Sequence, residues 1–412
     1  MPNNNSYKLS INAHHFLSGD KDILTEHAAL YLTQAIRAFA IASIGIFLPI
    51  YIYIHSQEYL IFNNDLVLNG LVWGFLYFML RSLGTLIFSS LLLKTIFSKI
   101  HLNRSMFLSL VIEIVEIVLW LLAAQNLYLM LLAGLLAGLK VTLFWIPYHI
   151  YFVRKFEQGS YGKNIGMRFL FEKFLTGFAP LFGGIIIATV GFEVLFVISI
   201  LILLASALPI LLTVHEWKHQ DHSIPNILKD FVFNKRYKLL TISYIGEYIE
   251  NSVYTIAWPV LLFLGIASFV KIGTLASVTT VISAFTAVLA GRAIDKHGTR
   301  LIHGIGVFFN TLLHIPRVFL RSALGLYVID ITDRLNSPLY VIPNISLSYE
   351  KAKRNDRPSD FIIYRELVAH SAITITCLIL VFALSNLSVW RWIFLLAAFG
   401  SSLVYFVDLD RN

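Results

Sequence analysis

Long apolar runs dominate the chain, and short polar segments separate them. A helix of about 20 consecutive apolar residues crosses the hydrocarbon core of a bilayer. Twelve runs reach or approach this length, so the pattern predicts an all-α membrane protein with twelve transmembrane helices. The predicted spans are residues 28–54, 66–92, 105–125, 127–153, 161–190, 192–214, 237–264, 266–291, 301–321, 323–349, 359–386 and 388–407.

The polar segments divide these spans into two groups of six. The longest internal polar segment, residues 215–236, separates a first half at 28–214 from a second half at 237–407. Terminal polar segments cover residues 1–27 and 408–412. We therefore predict two six-helix bundles joined by a cytoplasmic linker, with a short cytoplasmic segment at each end of the chain.

The basic residues assign the two sides of the membrane. With the N-terminus inside, the inner loops hold 18 Lys and Arg residues and the outer connections hold three, Lys271, Arg321 and Arg391. By the positive-inside rule both termini are cytoplasmic, and we expect a multi-pass protein of an inner or plasma membrane. This distribution accounts for the net charge of +8, so nucleic acid is not an expected partner.

Composition supports the same class. The chain is 57% hydrophobic and 14% charged, with a mean hydropathy of +0.74, which is more apolar than a soluble domain requires. The one cysteine, Cys377, falls inside a predicted span, so no intramolecular disulfide and no cysteine metal site are expected. We expect a monomer in the lipid bilayer, with no cofactor.

Internal repeats relate the two predicted bundles. Pro147 ends the segment Leu-Phe-Trp-Ile-Pro late in the fourth span, and Pro343 ends Leu-Tyr-Val-Ile-Pro late in the tenth. The first and seventh spans each carry a proline twelve positions after a charge, Arg37 in one and Glu247 in the other. This order indicates a parallel repeat of six spans and six spans.

A glycine-flanked loop lies between the eighth and ninth spans. We expect Gly291 to allow two helices to approach closely and Gly298 to permit a tight turn. Asp295 is placed to accept amide hydrogens at the start of the next helix. Lys296 and Arg300 favour the cytoplasmic side for this loop.

The spacing G-x-x-x-D-K-x-G-x-R in this loop resembles the signature of the major facilitator superfamily of transporters. Thr299 stands where that family usually has Arg or Lys, and the loop after the second span lacks the signature's Gly and Asp. The resemblance implies two pseudo-symmetric six-helix bundles around a central cavity. It also implies secondary active transport of a small organic solute by alternating access, with the five loop residues acting as a gating loop.

The fifth span adds a weaker resemblance. Its segment from Gly177 through Pro180 to Gly183 and Gly184 is similar to a degenerate form of the glycine–proline pattern of antiporter members. This slightly favours antiport or efflux. Ordinary close packing of helices explains the same residues, and the two interpretations stay open.

Charges within the spans identify candidate site residues, because each costs about 2.5–3.5 kcal/mol on insertion scales unless a partner or a wet cavity compensates. Within the spans, cations occur mainly in the first half and carboxylates mainly in the second. We therefore expect ion pairs between the two halves that break and reform as the halves rock. A carboxylate in a low-dielectric cavity favours its protonated form, which indicates proton coupling. The candidates for substrate or proton binding are Arg37, Arg168, Glu247, Glu250, Asp330, Asp333, Arg334, Arg365 and Glu366.

Other residues in the spans receive different predictions. Trp145, Tyr148 and Trp258 fall in spans that the resemblance places at the cavity, where they can stack on an amphipathic substrate or simply pack. Glu113 and Glu116 fall in the third span, which the resemblance places outside the cavity. We expect them to form a peripheral structural pair.

One motif favours a different class of protein. His215, Glu216 and His219 form H-E-x-x-H, the spacing of zinc hydrolases, directly after the sixth span. No distant third ligand is evident, so a plain polar linker without metal is preferred and no enzyme is predicted. The alternatives kept open are a facilitative uniporter, a membrane metalloenzyme using these three residues, and a non-transporting membrane receptor or scaffold.

Overall fold

The computed structural model describes residues 21–61, 65–99, 102–155, 172–174, 176–211, 223–384 and 390–409. These residues form helices joined mostly by short turns. The α-helices are α1 Lys21–Gly45, α2 Leu48–His55, α3 Leu66–Lys99, α4 Leu102–Ala123, α5 Leu129–Lys155, α6 Ala179–Val190, α7 Phe192–Leu211, α8 Ile224–Ile227, α9 Lys238–Ile266, α10 Phe269–His297, α11 Thr299–Arg317, α12 Ala323–Arg354, α13 Pro358–Leu384, α14 Ile393–Leu403 and α15 Phe406–Leu409.

Helix boundaries follow residues that interrupt or begin a helix. The first predicted span is divided between α1 and α2, because Pro49 occupies the first turn of α2, where its missing N–H is no loss. Gly191, with φ of 94°, ends α6, and Ser322 caps α12 by accepting a hydrogen bond from the Gly325 amide at 3.1 Å. One to five residues connect each helix to the next from α3 to α5, from α6 to α7 and from α9 to α13.

The same helix pairs pack in each half of the chain. In the first half α3 packs on α5, α4 on α5 and α7, and α1 on α6 and α7. In the second half α10 packs on α12, α11 on α12 and α14, and α9 on α13 and α14. The two bundles are therefore pseudo-symmetric, and they meet where α3 packs on α13 and α6 on α10.

Nine of the described helices are long and apolar enough to cross a membrane. They correspond to the predicted spans one to eight and eleven. The helices at predicted spans nine, ten and twelve are α11, α12 and α14. α14 is short. Buried polar residues lower the mean hydropathy of α11 and α12, and these two helices also hold candidate site residues.

Helix α11 is polar on its inner face and apolar on its outer face. His303, Asn310, His314 and Arg317 recur at helical spacing and are buried. Beyond Arg300 in the first turn, its exposed residues are large and apolar: Leu301, Ile305, Phe308, Phe309, Leu312 and Ile315. This orientation suits a helix with one face in lipid and the other against a polar interior.

The described part of the linker folds back onto the second half. Ile224–Ile227 continues into Leu228–Val232, and a further turn covers Lys235–Tyr237. The Phe231 ring stacks on Tyr364 of α13 with centroids 5.4 Å apart, and Arg357 forms an ion pair with Asp230. The linker therefore has a defined position against α9 and α13.

Candidate functional site

A closed network of four charges lies inside the first half. Arg37 on α1 donates two hydrogen bonds to Glu113 on α4, at 2.6 and 2.8 Å. Lys140 Nζ on α5 lies 3.1 Å from Glu113 and 2.5 Å from Glu116, which also accepts a 2.6 Å hydrogen bond from Tyr77. The charges of the two cations and the two carboxylates sum to zero, and all four side chains are buried.

Aromatic side chains flank this network. The Arg37 guanidinium lies over the rings of Phe144 and Trp145, 4.2 and 5.5 Å from their centroids. Tyr148 is buried and stacks on Phe144 with centroids 5.7 Å apart. The predicted site residues Arg37, Trp145 and Tyr148 therefore lie together, with Arg37 already held by a carboxylate.

The second half contains a chain of polar contacts across three helices. His314 Nε2 on α11 lies 3.1 Å from Glu250 Oε1 on α9, and His314 Nδ1 lies 2.7 Å from Arg317 Nη1. Arg317 Nη2 lies 3.3 Å from Asp333 Oδ2 on α12, which also accepts a 2.9 Å hydrogen bond from Tyr254. The sequence-predicted residues Glu250 and Asp333 are thus linked through two residues of the ninth span.

Asp330 lies one turn before Asp333 and has neutral partners. It accepts hydrogen bonds from the Trp258 indole at 2.8 Å and the Thr279 hydroxyl at 3.0 Å, and it is 2% exposed. Arg317 lies over Trp258, 4.7 Å from the ring centroid, without a salt bridge to Asp330. Arg334 follows on the same helix and interacts electrostatically with both aspartates.

A third group lies where the halves meet. Arg365 donates a 2.6 Å hydrogen bond to Glu366 on α13, and His370 Nε2 lies 3.9 Å from the same carboxylate. The Arg365 guanidinium lies 5.8 Å from the Tyr349 ring centroid. The Tyr349 hydroxyl is 2.6 Å from His149 Nδ1, a hydrogen bond that joins α12 in the second half to α5 in the first.

Glu247 stands one turn before Glu250 and is half-buried. It interacts electrostatically with Arg365 and forms a hydrogen bond with the Asn344 side chain. Its carboxylate has no salt bridge within 4 Å to any described residue, which distinguishes it from Glu113 and Glu366.

Comparison with known proteins identifies the family. The sequence model of the Major Facilitator Superfamily matches residues 30–329. This chain belongs to the Major Facilitator Superfamily. It is therefore a multi-pass membrane transporter and not an enzyme, and its fold is the all-α arrangement of two six-helix bundles that the sequence predicts.

Solved structures of superfamily transporters share the fold at low sequence identity. The Escherichia coli fucose:proton symporter FucP is 14% identical with a TM-score of 0.64, and the match covers 95% of this chain and 100% of that one. A D-xylose-proton symporter is 13% identical with a TM-score of 0.68, covering 95% and 98%. The human organic anion transporter MFSD10 is 13% identical with a TM-score of 0.65, covering 93% and 99%. No curated protein matches the sequence.

Among the described residues, the charges differ from two expectations. Where both partners lie in the described ranges, no ion pair joins the two halves, and the pairs form within each half instead. Glu113 is not peripheral, because it holds Arg37 and Lys140 in the bundle interior. Arg168 lies outside the described residues.

In the gating loop, the predicted need for a glycine at the turn is met at Gly298. Gly298 ends α10 and begins α11 with φ of 86° and ψ of 148°, a conformation that a Cβ disfavours. Gly291 lies within α10, and a Cβ there would meet no atom within 4 Å, so the expected close approach is wrong. Asp295, Lys296 and Arg300 are exposed, and no side chain caps α11, so the predicted capping by Asp295 is also wrong.

Close packing occurs instead in the fifth span. A Cβ at Gly183 would collide with the Ser43 carbonyl oxygen of α1, and one at Gly184 would lie 2.5 Å from the Phe269 carbonyl oxygen of α10. These glycines therefore have a packing role that does not depend on the direction of transport.

The alternative metal motif lies outside the described residues, since His215, Glu216 and His219 all fall there. Within the described ranges no three His, Cys, Asp or Glu side chains are arranged to hold a metal ion.

Sequence reasoning missed the ninth-span residues His314 and Arg317. The superfamily resemblance implies that the ninth span, like the third, lies outside the cavity, and Arg317 is not among the candidate charges within the spans. The signal was nonetheless present: His303, Asn310, His314 and Arg317 follow one face of an otherwise apolar helix.

Proposed function

We propose that this protein is a proton-coupled secondary transporter that moves a small organic solute by alternating access. The bundles at 28–214 and 237–407 rock about a mid-membrane site, and the proton binds at Glu250. The observation that carries the proposal is the contact of Glu250 with His314, which Arg317 holds in turn.

The hydrogen-bond chemistry of His314 directs the proton to Glu250. A guanidinium only donates, so His314 Nδ1 accepts from Arg317. A neutral imidazole then carries its hydrogen on Nε2 and donates it to Glu250. A second proton cannot bind His314 Nδ1 unless Arg317 leaves, so an incoming proton binds the carboxylate of Glu250.

The charge count of the same region supports a proton site. Three acids, Glu250, Asp330 and Asp333, stand against two bases, Arg317 and Arg334. In a low-dielectric interior a net charge is costly, so one proton on this cluster relieves its excess of negative charge. The network of the first half is neutral without any added proton.

A carboxylate that binds a proton can instead bind a cationic group, and exchange of one for the other is antiport. This favours antiport or efflux of an organic cation, zwitterion or amphiphile, with Glu247 beside Glu250 as the second acid. Arg37, Arg168, Arg365, Glu366, Trp145, Tyr148 and Trp258 complete the proposed substrate region. A facilitative uniporter that uses the same charges as gates is the alternative. We place the protein in an inner or plasma membrane with both termini cytoplasmic.

Proteoliposomes that contain a pH-sensitive dye test the proposal. Ethidium represents organic cations, and L-fucose and D-xylose represent the sugars named for two structural neighbours. We expect a solute to move protons across the membrane, and Glu250→Gln to abolish the coupled signal. Glu193→Gln, which removes an exposed carboxylate of α7, serves as the control. Transport that does not depend on the pH gradient and is retained in Glu250→Gln contradicts proton coupling and favours the uniporter.

A further inference from the structure

An apolar groove runs along the outer surface of the second half. Its volume is about 310 Å³, and it lies between α9, α13 and α14, with Leu228 and Val232 of the linker at one end. Thr241, Ile245 and Ile249 line it from α9 at intervals of four residues, which is one face of a helix.

The dimensions of the groove suit a single acyl chain. Its α13 residues extend from Leu367 to Ile379, and at 1.5 Å per residue this is about 18 Å. One leaflet contributes about half of the ~30 Å hydrocarbon core. The groove thus has about the length of one leaflet, and Leu228 and Val232 of the linker line it beside α9 and α13.

Basic residues lie close in sequence to the linker residues that line the groove. Lys229, Lys235, Arg236 and Lys238 are all exposed. The acid among them, Asp230, is bound by Arg357. Anionic headgroups attract basic clusters at a membrane surface, so the charge here complements a phosphate and not a cation.

An exposed aromatic residue places this segment at the bilayer surface. Phe233 is 78% exposed although it lies among the basic residues. The preceding residues Leu228 and Val232 point into the groove. A basic segment with an outward aromatic ring and an inward apolar face is typical of interfacial anchoring.

We propose that this groove binds one anionic phospholipid, with an acyl chain between α9 and α13 and the phosphate at Lys235 and Lys238. The bound lipid holds the linker against the second half, where Phe231 and Arg357 already fix it. The site is separate from the proposed proton site and does not depend on it.

Native mass spectrometry of the purified full chain tests the site, with phosphatidylglycerol as the anionic probe and phosphatidylcholine as the neutral one. We expect one phosphatidylglycerol retained per chain in preference to phosphatidylcholine. Lys235→Gln with Lys238→Gln weakens this retention by about tenfold. Arg292→Gln with Arg354→Gln removes the same charge from the same predicted face at exposed residues that do not line the groove, and retention stays unchanged.

A second variant tests the groove itself. Ser371→Phe adds a ring to the α13 wall while all the basic residues remain, and we expect it to reduce phosphatidylglycerol retention. The soluble headgroup glycerophosphoglycerol, which has no acyl chain, is expected not to bind. The proposal is overturned by equal retention of both lipids, by equal losses in the two double variants, by normal retention in Ser371→Phe, or by binding of the soluble headgroup.

Discussion

Arg37 and Glu113 share two hydrogen bonds, of 2.6 and 2.8 Å, between the first and third predicted spans. Removal of one partner of a buried ion pair leaves an uncompensated charge and costs about 3–5 kcal/mol. Glu113→Gln keeps the side-chain volume and leaves Arg37 without its anion. We expect a loss of stability of about 3 kcal/mol in thermal unfolding in detergent, against no change for the exposed Glu193→Gln. Equal melting temperatures contradict this role.

The second-half aspartates allow a matched comparison of stability. Asp333 is ion-paired with Arg317, whereas Asp330 accepts hydrogen bonds from the neutral donors Trp258 and Thr279. We expect Asp333→Asn to cost about 3 kcal/mol because it orphans a buried arginine. Asp330→Asn is expected to cost about 1–2 kcal/mol through an impaired hydrogen bond. Thermal unfolding of the two variants side by side measures the difference, and the reverse order excludes the ion pair as the dominant contact.

The contact of His314 with Glu250 predicts a shift in pH dependence. His314 donates to the Glu250 carboxylate and so favours its charged form. Without this donor Glu250 keeps its proton to higher pH. We expect the midpoint of the transport pH profile to rise by about one unit in His314→Phe, since a hydrogen bond to a charged group contributes about 1.5 kcal/mol. An unchanged midpoint, with transport retained, removes His314 from the proton site.

Two glycines of the signature loop predict opposite effects. Gly298 has φ of 86°, so Gly298→Ala imposes strain of about 1–3 kcal/mol. Gly291 lies inside α10 with free space around its Cα, so Gly291→Ala is expected to be neutral or to stabilise by about 0.5–1 kcal/mol. Chemical or thermal unfolding separates the two. A destabilising Gly291→Ala would falsify the assignment of Gly298 as the residue that requires glycine.

The hydrogen bond between His149 and Tyr349 crosses from one half to the other. Tyr349→Phe removes it, and a typical net value of about 1 kcal/mol corresponds to an about fivefold shift toward separated halves. We expect faster amide hydrogen exchange at the facing ends of α5 and α12. Tyr244→Phe removes a 3.3 Å hydrogen bond to Ser348 within the second half and serves as the control. Equal exchange in both variants indicates that the contact does not restrain the halves.

The sequence predicts the positions of the helices better than it predicts which side chains contact each other between helices. Apolar length and turn residues determine where most helices lie, because the bilayer sets one length and one polarity. Side-chain partners depend on how helices rotate against each other, and a sequence does not give that rotation. Charge asymmetry between the halves therefore predicted ion pairs across them, whereas Glu113 satisfies Arg37 from within the same bundle.

Local patterns nonetheless contain part of the missed information. The turn at Gly298 was predictable because it depends on one residue's backbone. The polar face of α11 was visible as His303, Asn310, His314 and Arg317 at helical spacing. The sequence pattern does not show how deeply these side chains are buried, because their burial depends on how α9, α12 and α14 pack against α11.

In the proposed rocking motion, each charge cluster moves as one body with its own half, since the ion pairs between described residues all lie within a half or its linker. The contacts that must separate include neutral ones, such as the hydrogen bond from the Leu181 amide to the Ser277 hydroxyl. Added electrolyte screens separated charges and hardly affects such contacts. The speed at which the protein changes state should therefore vary little with ionic strength.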